Sequence, residues 1–185
     1  MRRLRYAAAS VSAALLVGVG IALAGTSHSS AGKLPGPVDA IRCQVAEQVL
    51  FHVHSHLAIF VDGRPLVVPE GIGIAVPRVV EQTSQGPFVV AGGCFYWLHT
   101  HARDGIIHIE SPLRRTFTLG EFFDVWRRPL GRGEVAGARG PVTAYVDGRR
   151  FGGDPRTIAL GYHRVIQLDV GRRVAPQRFS FPFGL

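Results

Sequence analysis

Histidines separated by single residues are the feature of this sequence that could do chemistry. Six of the eight histidines fall in three short segments, FHVHSHLAIFV, LHTH and IIHIESP: His52, His54, His56, His99, His101 and His108. Imidazole nitrogens bind divalent transition metals with bonds of about 2.0–2.1 Å, and they exchange protons near neutral pH. The residue types therefore indicate metal binding or proton chemistry, provided that the fold brings them together.

Strand geometry would place the first three histidines on one face. Side chains of a β-strand alternate between two faces, so the spacing of His52, His54 and His56 puts them on the same side. That side continues into Ala58 and Phe60, which predicts a face that is at least partly buried.

The second and third segments are predicted to form a hairpin. A two-residue loop at Asp104-Gly105 places His101 opposite His108, whereas a loop two residues longer places His99 opposite His108. In both registers these histidines share one face with Glu110. Directly opposed residues have Cβ atoms about 4.5–5.5 Å apart, which is close enough for imidazoles to share one ion.

These alignments predict one metal site. The predicted ligands are His54, His56, His99, His101 and His108. The candidates for a further ligand or a general base are His52, Glu110 and Asp104. Imidazoles with a carboxylate suit Zn(II), Cu(II), Fe(II) or Ni(II) rather than Ca²⁺ or Mg²⁺, and a divalent transition metal, copper or zinc, is the expected cofactor. Met1 is the only methionine, which disfavours a methionine-ligated copper site.

The two cysteines, Cys43 and Cys94, are predicted to form a disulfide. An even pair in an exported chain favours a bond, and both precede strand-like runs rather than lying among the histidines. The alternative is that they are thiolate metal ligands.

The amino terminus predicts export. Three arginines precede an apolar run that ends in Ala22-Leu23-Ala24, so residues 1–24 are expected to be a signal peptide or a membrane anchor. Residues 25–40 are rich in Ser, Gly and Pro and are expected to be a flexible linker. Residues 41–185 then form a single β-rich domain, which is secreted or held at the membrane by the amino-terminal segment.

The charge pattern gives no sign of a nucleic-acid partner. The net charge is +8 and the pI about 10.7, but the arginines are scattered and do not interleave with aromatic residues in a basic stripe. The metal ion, and a membrane through the amino terminus, are the expected partners; the sequence does not identify a protein partner.

Turn and capping signals predict the fold class. Asp-Gly, which favours two-residue hairpin turns, occurs between strand-like runs at 62–63, 104–105 and 147–148. Thr118 and Glu121 form a capping box at the start of TLGEFFDVW, which predicts one short helix. We therefore expect an α+β, mostly β fold of about seven strands in antiparallel hairpins, as a sandwich or partly open barrel.

The segments FHVHSHLAIFVDG, CFYWLHTHARDGIIHIESP and FTLGEFFDVW resemble an uncharacterised family of exported bacterial and archaeal proteins. That family shows H-x-H, L-H-T-H, G-x-I-H-x-E and F-T-L-G-x-F-F motifs, and the resemblance covers about residues 43–126. Its members often carry an acidic residue where this chain has Ala102, so an acidic role at that position is not expected here. The resemblance supports the site and implies no reaction.

Three functions are consistent with the sequence. An extracytoplasmic metal-binding protein, for copper or zinc handling or sensing, is favoured over an enzyme because no substrate motif or hydrolase nucleophile motif is evident. A small metalloenzyme, an oxygenase or hydrolase, would need an open coordination position at the same histidines. A metal-free protein-interaction module that responds to pH would use the histidines as proton acceptors. Metal-free catalysis is the least favoured use of the cluster.

Overall fold

The computed structural model describes residues 34–185 of the chain. The predicted signal or anchor segment, 1–24, and most of the predicted linker lie outside the described residues. The first described residues contact the domain: the Tyr96 hydroxyl donates to the carbonyl of Gly36 at 2.6 Å, and Val38 forms a β-bridge with Ile41. Within residues 34–185, no helix is long and apolar enough to cross a membrane.

The described chain is built mainly from short strands. In chain order the elements are β1 (Cys43–Gln44), β2 (Phe51–Val61), β3 (Arg64–Leu66), β4 (Val79–Thr83), β5 (Gly86–Ala91), β6 (Phe95–Tyr96), β7 (Leu98–His99), β8 (Ile106–Ser111), β9 (Phe117–Thr118), α1 (Leu119–Trp126), β10 (Leu130–Gly131), β11 (Glu134–Val135), β12 (Ala138–Arg139), β13 (Val142–Val146), β14 (Arg149–Phe151), a 3-10 turn (Pro155–Thr157), β15 (Ala159–Leu160) and β16 (Arg164–Val170).

Seven of these strands form one open sheet, in the order β14–β13–β16–β2–β8–β7, with β3 also paired to β2. The other strands form small sheets of two or three strands around it. The α+β, mostly β fold predicted from the sequence is confirmed. Most pairs are antiparallel, but β2 and β16 are parallel, with Leu57 paired to Ile166. This pairing joins the first long strand to the last and is not part of any hairpin.

One face of the central sheet packs on the core. Leu57, Ile59, Ile107 and Ile109 are all at most 2% exposed, and they belong to the same buried cluster as the aromatic side chains of α1. Period-two alternation then puts the neighbouring residues of β2 and β8, the histidines, on the opposite face.

The predicted helix is confirmed with its cap. The Thr118 hydroxyl accepts from the backbone N–H of Glu121, and the Glu121 carboxylate accepts from the backbone N–H of Thr118. Phe122, Phe123 and Val125 bury the inner face of α1, so the helix is held by its cap and its packing.

The predicted disulfide is also confirmed. Cys43 and Cys94 are bonded across 51 positions, with their Cα atoms 5.4 Å apart. The bond ties β1 to the segment that leads into β6 and β7. Such a bond indicates an oxidising environment, as is found outside the cytoplasm.

Two of the three Asp-Gly pairs form the predicted two-residue turns. Val61 pairs with Arg64, and Val146 with Arg149, and both residues of each turn have positive φ. The third pair differs. After His99 the chain leaves β8, because the Thr100 N–H donates to the Ile72 carbonyl and the Val89 N–H donates to the His101 carbonyl. The β7–β8 connection is therefore a longer loop.

Candidate metal centre

Strand β8 lies between β2 and β7, the strands that carry the two H-x-H segments. Its side chains belong to two groups of candidate ligands, one on each side. Its His108 pairs with His54 of β2 on one side and with His99 of β7 on the other. Two residues further along β8, Glu110 pairs with His52. The register between β7 and β8 is the one that the longer of the two considered loops predicts.

The first group of candidate ligands is formed by β2 and β8. The Nε2 atom of His54 lies 3.1 Å from Nε2 of His52 and 3.2 Å from Nδ1 of His108. Oε1 of Glu110 lies 3.1 Å from Nε2 of His52 and 3.3 Å from Nδ1 of His108. All four residues offer a ligand atom within 4.8 Å of the others.

The second group shares β8 but uses the other H-x-H segment. His99 and His101 join His108 and Glu110, again with ligand atoms all within 4.8 Å of one another. Nε2 of His99 lies 3.0 Å from Nε2 of His101 and 3.8 Å from Oε1 of Glu110. His99, His101 and Glu110 are buried, His99 fully so, and the His108 side chain is 12% exposed.

The tautomers of His99 and His101 are determined by backbone carbonyls. Nδ1 of His99 lies 2.8 Å from the carbonyl oxygen of Tyr96, and Nδ1 of His101 lies 2.5 Å from that of Val89. A carbonyl oxygen only accepts, so both Nδ1 atoms carry the proton. In the neutral rings both Nε2 atoms are then bare, and they face each other at 3.0 Å with no proton between them. A cation between the rings would satisfy both lone pairs.

Burial favours the neutral form of three histidines of the cluster, His54, His99 and His108. Desolvation, reinforced by neighbouring histidines, lowers the pKa of His99 to about 3 and that of His54 to about 4. The same causes hold the pKa of His108 well below its usual value. At neutral pH a proton therefore does not provide the missing positive charge, whereas neutral imidazole is the form that binds a metal.

Glu110 is a buried carboxyl group, and no arginine or lysine of the described chain forms an ion pair with it. Its side chain is 3% exposed, and its ion-pair contacts within residues 34–185 are all to histidines. Its Oε2 atom is buried and has no hydrogen-bond partner in the described chain. Burying a carboxylate in this way is costly unless a positive charge compensates it, which a bound metal would do.

A cavity of about 290 Å³ opens onto the site, and it reveals a residue that the sequence analysis missed. Glu47 lines it together with ligand candidates of both groups, and its Oε1 atom lies 3.3 Å from Nε2 of His101. Glu47 is four residues after Cys43, whose disulfide partner precedes the LHTH segment by four residues. The predicted disulfide was thus a signal that an acidic residue here could reach the histidines.

Two predicted site residues lie outside both groups. His56 shares the histidine face, but its ring stacks on Phe179 at 3.6 Å between centroids, and it belongs to neither set of close ligand atoms. Asp104 lies in the β7–β8 loop, where its carboxylate accepts from the backbone N–H of Ile106 at 2.9 Å. Of the candidates, the structure brings together His52, His54, His99, His101, His108 and Glu110.

Gly73 is packed directly against the strand that carries His99, so replacing it should damage the site. Its φ is +70°, and an added Cβ would lie 2.2 Å from the Leu98 carbonyl oxygen. We expect Gly73→Ala to lower the free energy of unfolding by about 2–4 kcal/mol, combining left-handed strain with steric clash. Gly148→Ala is the matched control, because φ is +77° and the space around it is open. Urea denaturation should show a smaller loss in the control; equal losses would contradict this packing argument.

The metal-free protein should lose stability in mild acid. The pKa of His54, His56 and His99 is lowered by burial to about 4, 4 and 3. Their stabilising contribution is complete above the unfolded pKa of about 6.5 and is lost as the pH falls towards the folded values, because only the unfolded chain takes up protons there. Each of these histidines should lower the free energy of unfolding by at most about 1.4 kcal/mol for every pH unit of acidification.

Chemical denaturation of the chelator-treated protein at several pH values between about 7 and 5 measures this slope. His56→Phe should reduce the slope of the free energy of unfolding with pH by the contribution of one histidine. Phe can keep the stacking on Phe179 but takes up no proton. A free energy of unfolding that stays constant over this range would contradict the expectation.

The chain was compared with known proteins, and no family model, curated protein or solved structure matches it. Its function therefore has to be inferred from the geometry of the site.

Proposed function

We propose that this protein binds a divalent transition metal, copper or zinc, outside the cytoplasm, and that it acts in handling or sensing that metal. The observation that carries the proposal is the pair of bare Nε2 atoms of His99 and His101, which face each other at 3.0 Å. Their Nδ1 atoms donate to carbonyl groups, which is the usual outer contact of a metal-bound histidine.

The donor set defines the class of metal. Imidazole nitrogens with one carboxylate suit Cu(II) and Zn(II), whereas Ca²⁺ and Mg²⁺ prefer sets made of oxygen atoms. Within residues 34–185 both cysteines are used in the disulfide, so no thiolate is offered to the metal.

The disulfide and the composition of the amino terminus support a location outside the cytoplasm. We propose that the basic and apolar residues 1–24 export the chain, and that it is then secreted or held at the membrane by that segment. We also propose that it belongs with the exported proteins that share its H-x-H, L-H-T-H and F-T-L-G-x-F-F motifs.

Calorimetric titration of the metal-free protein, purified without a histidine tag, tests the proposal. Cu(II) and Zn(II) should bind with a Kd below about 1 μM, and Ca²⁺ should give no binding heat. The double variant His99→Ala/His101→Ala should bind much more weakly, while His163→Ala, outside both groups, should bind like the wild type. Absence of binding by the wild type, or unchanged binding by the double variant, would refute the proposal.

The cavity favours a second candidate function, a small metalloenzyme. It exposes part of the ligand cluster, so a bound metal would have room for a water molecule or a substrate group. Glu47 lies beside His101 without belonging to either ligand group, a position suited to a general base.

Hydrolysis of simple carboxylic and phosphate esters by the zinc-loaded protein tests this function. Glu47→Gln should lower kcat by at least about tenfold while the zinc content stays the same. If the zinc-loaded wild type is inactive on both ester classes, or if the variant keeps full activity, the hydrolase candidate is dismissed.

A further inference from the structure

The cluster contains more ligands than the four that zinc commonly uses. Six side chains are brought together, but their ligand atoms fall into two sets of four rather than one set of six. Ligands of one ion with bonds of about 2.1 Å lie no more than about 4.2 Å apart. Zinc commonly takes four ligands. The two sets share His108 and Glu110, so the cluster offers six ligand residues in all, of which His52 and His54 belong to one set alone and His99 and His101 to the other.

The two sets are arranged on either side of one strand. The pair His52 and His54 comes from β2, and the pair His99 and His101 belongs to the segment that includes β7, while β8 lies between them with His108 and Glu110. The close ring contacts follow the same division: His54 and His99 each approach His108, with centroids 4.6 and 5.3 Å away.

Glu110 faces both histidine pairs. Its Oε1 atom is 3.1 Å from Nε2 of His52 in one set and 3.8 Å from Nε2 of His99 in the other. Its second oxygen, Oε2, is buried and unpartnered in the described chain. A carboxylate with two oxygens at this position can bind one ion through each or share one oxygen between both.

We propose that the cluster is a two-metal site, in which one ion is held by His52 and His54, a second by His99 and His101, and Glu110 bridges them. This inference rests on the proposed function, since it concerns the number of ions in the same cluster. His108 completes the coordination of one of the two ions. Ions bridged in this way are typically about 3.5–4 Å apart.

Metal counting tests the two-metal site separately from metal binding itself. Protein purified without a histidine tag is equilibrated with Zn(II), desalted, and analysed for zinc and protein by mass spectrometry. Two zinc ions per chain support the proposal. One ion per chain overturns it but leaves the proposed function intact, and none overturns both.

Variants then assign the ions to the two pairs. His54→Ala and His101→Ala should each retain about one ion, and Glu110→Gln should lower the count to one or fewer. His163→Ala is the matched control, because His163 lies outside both sets, and it should keep two ions. If His54→Ala or His101→Ala loses all zinc while remaining folded by circular dichroism, a single shared site is shown instead.

The Cu(II) form gives a readout that does not depend on the variants. Two Cu(II) ions about 4 Å apart couple magnetically, so the paramagnetic resonance signal of the wild type should be much weaker than its copper content predicts. A full mononuclear signal from protein that carries two copper ions would place the second ion elsewhere and overturn the bridged site.

Discussion

Copper or zinc in a hundredfold excess over its Kd should raise the Tm of the protein by about 5–10 °C near neutral pH. A ligand that binds only the folded state adds about 2.7 kcal/mol at that excess, and each kcal/mol moves the Tm of a domain of this size by about 2–4 °C. The increase should fade towards pH 5, because protons compete for the same nitrogens. Thermal melts with metal and with a chelator measure it.

The histidine variants give this prediction its controls. His99→Ala/His101→Ala removes the pair of facing Nε2 atoms and should reduce the increase, leaving at most the part due to an ion held by His52 and His54. His163→Ala should keep it, because the His163 ring lies between Tyr162 and Phe181 and not in either ligand group. If metal and chelator give the same Tm in the wild type, the folded protein has no metal site, and a structural or pH-responsive role for the cluster is left.

Loss of the disulfide should have the second large effect. A bond that closes a loop of 51 positions stabilises the fold by about 4 kcal/mol in the chain-entropy model, so reduction should lower the Tm by about 10–15 °C. Cys43→Ala/Cys94→Ala should melt near the reduced wild type, and a reducing agent should not change it further. If the reduced and the oxidised wild type had the same Tm, the disulfide would contribute little to the stability of the fold.

The parts of the fold that local sequence determines were predictable. The helix was predicted because Thr118 and Glu121 satisfy each other's backbone groups within four residues. The turns at 62–63 and 147–148 were predicted because Asp-Gly tolerates the positive φ of a two-residue loop. The common face of His54, His99 and His108 follows from strand alternation, which holds in either register that the loop allows.

Features that depend on distant contacts were not predictable in this way. The parallel pairing of β2 with β16 joins segments about a hundred residues apart. The alternation of apolar and polar residues predicts each strand but does not show which strand it pairs with. His56 has the right parity for the cluster, but the carboxy-terminal segment places Phe179 over its ring. Glu47 shows the reverse case, since the disulfide and the pairing of β1 with β6 bring its segment to the histidines.

Anomalous X-ray diffraction from crystals of the metal-loaded protein tests the central claim most directly. Data collected at the zinc or copper absorption edge locate the metal without reference to any assumed ligand. We predict strong anomalous density enclosed by His99, His101, His108 and Glu110, with further density beside His52 and His54 if the site holds two ions. Metal-soaked crystals with no anomalous density at the histidine cluster, or with metal only on other surface residues, would contradict the assignment of this cluster as a metal centre.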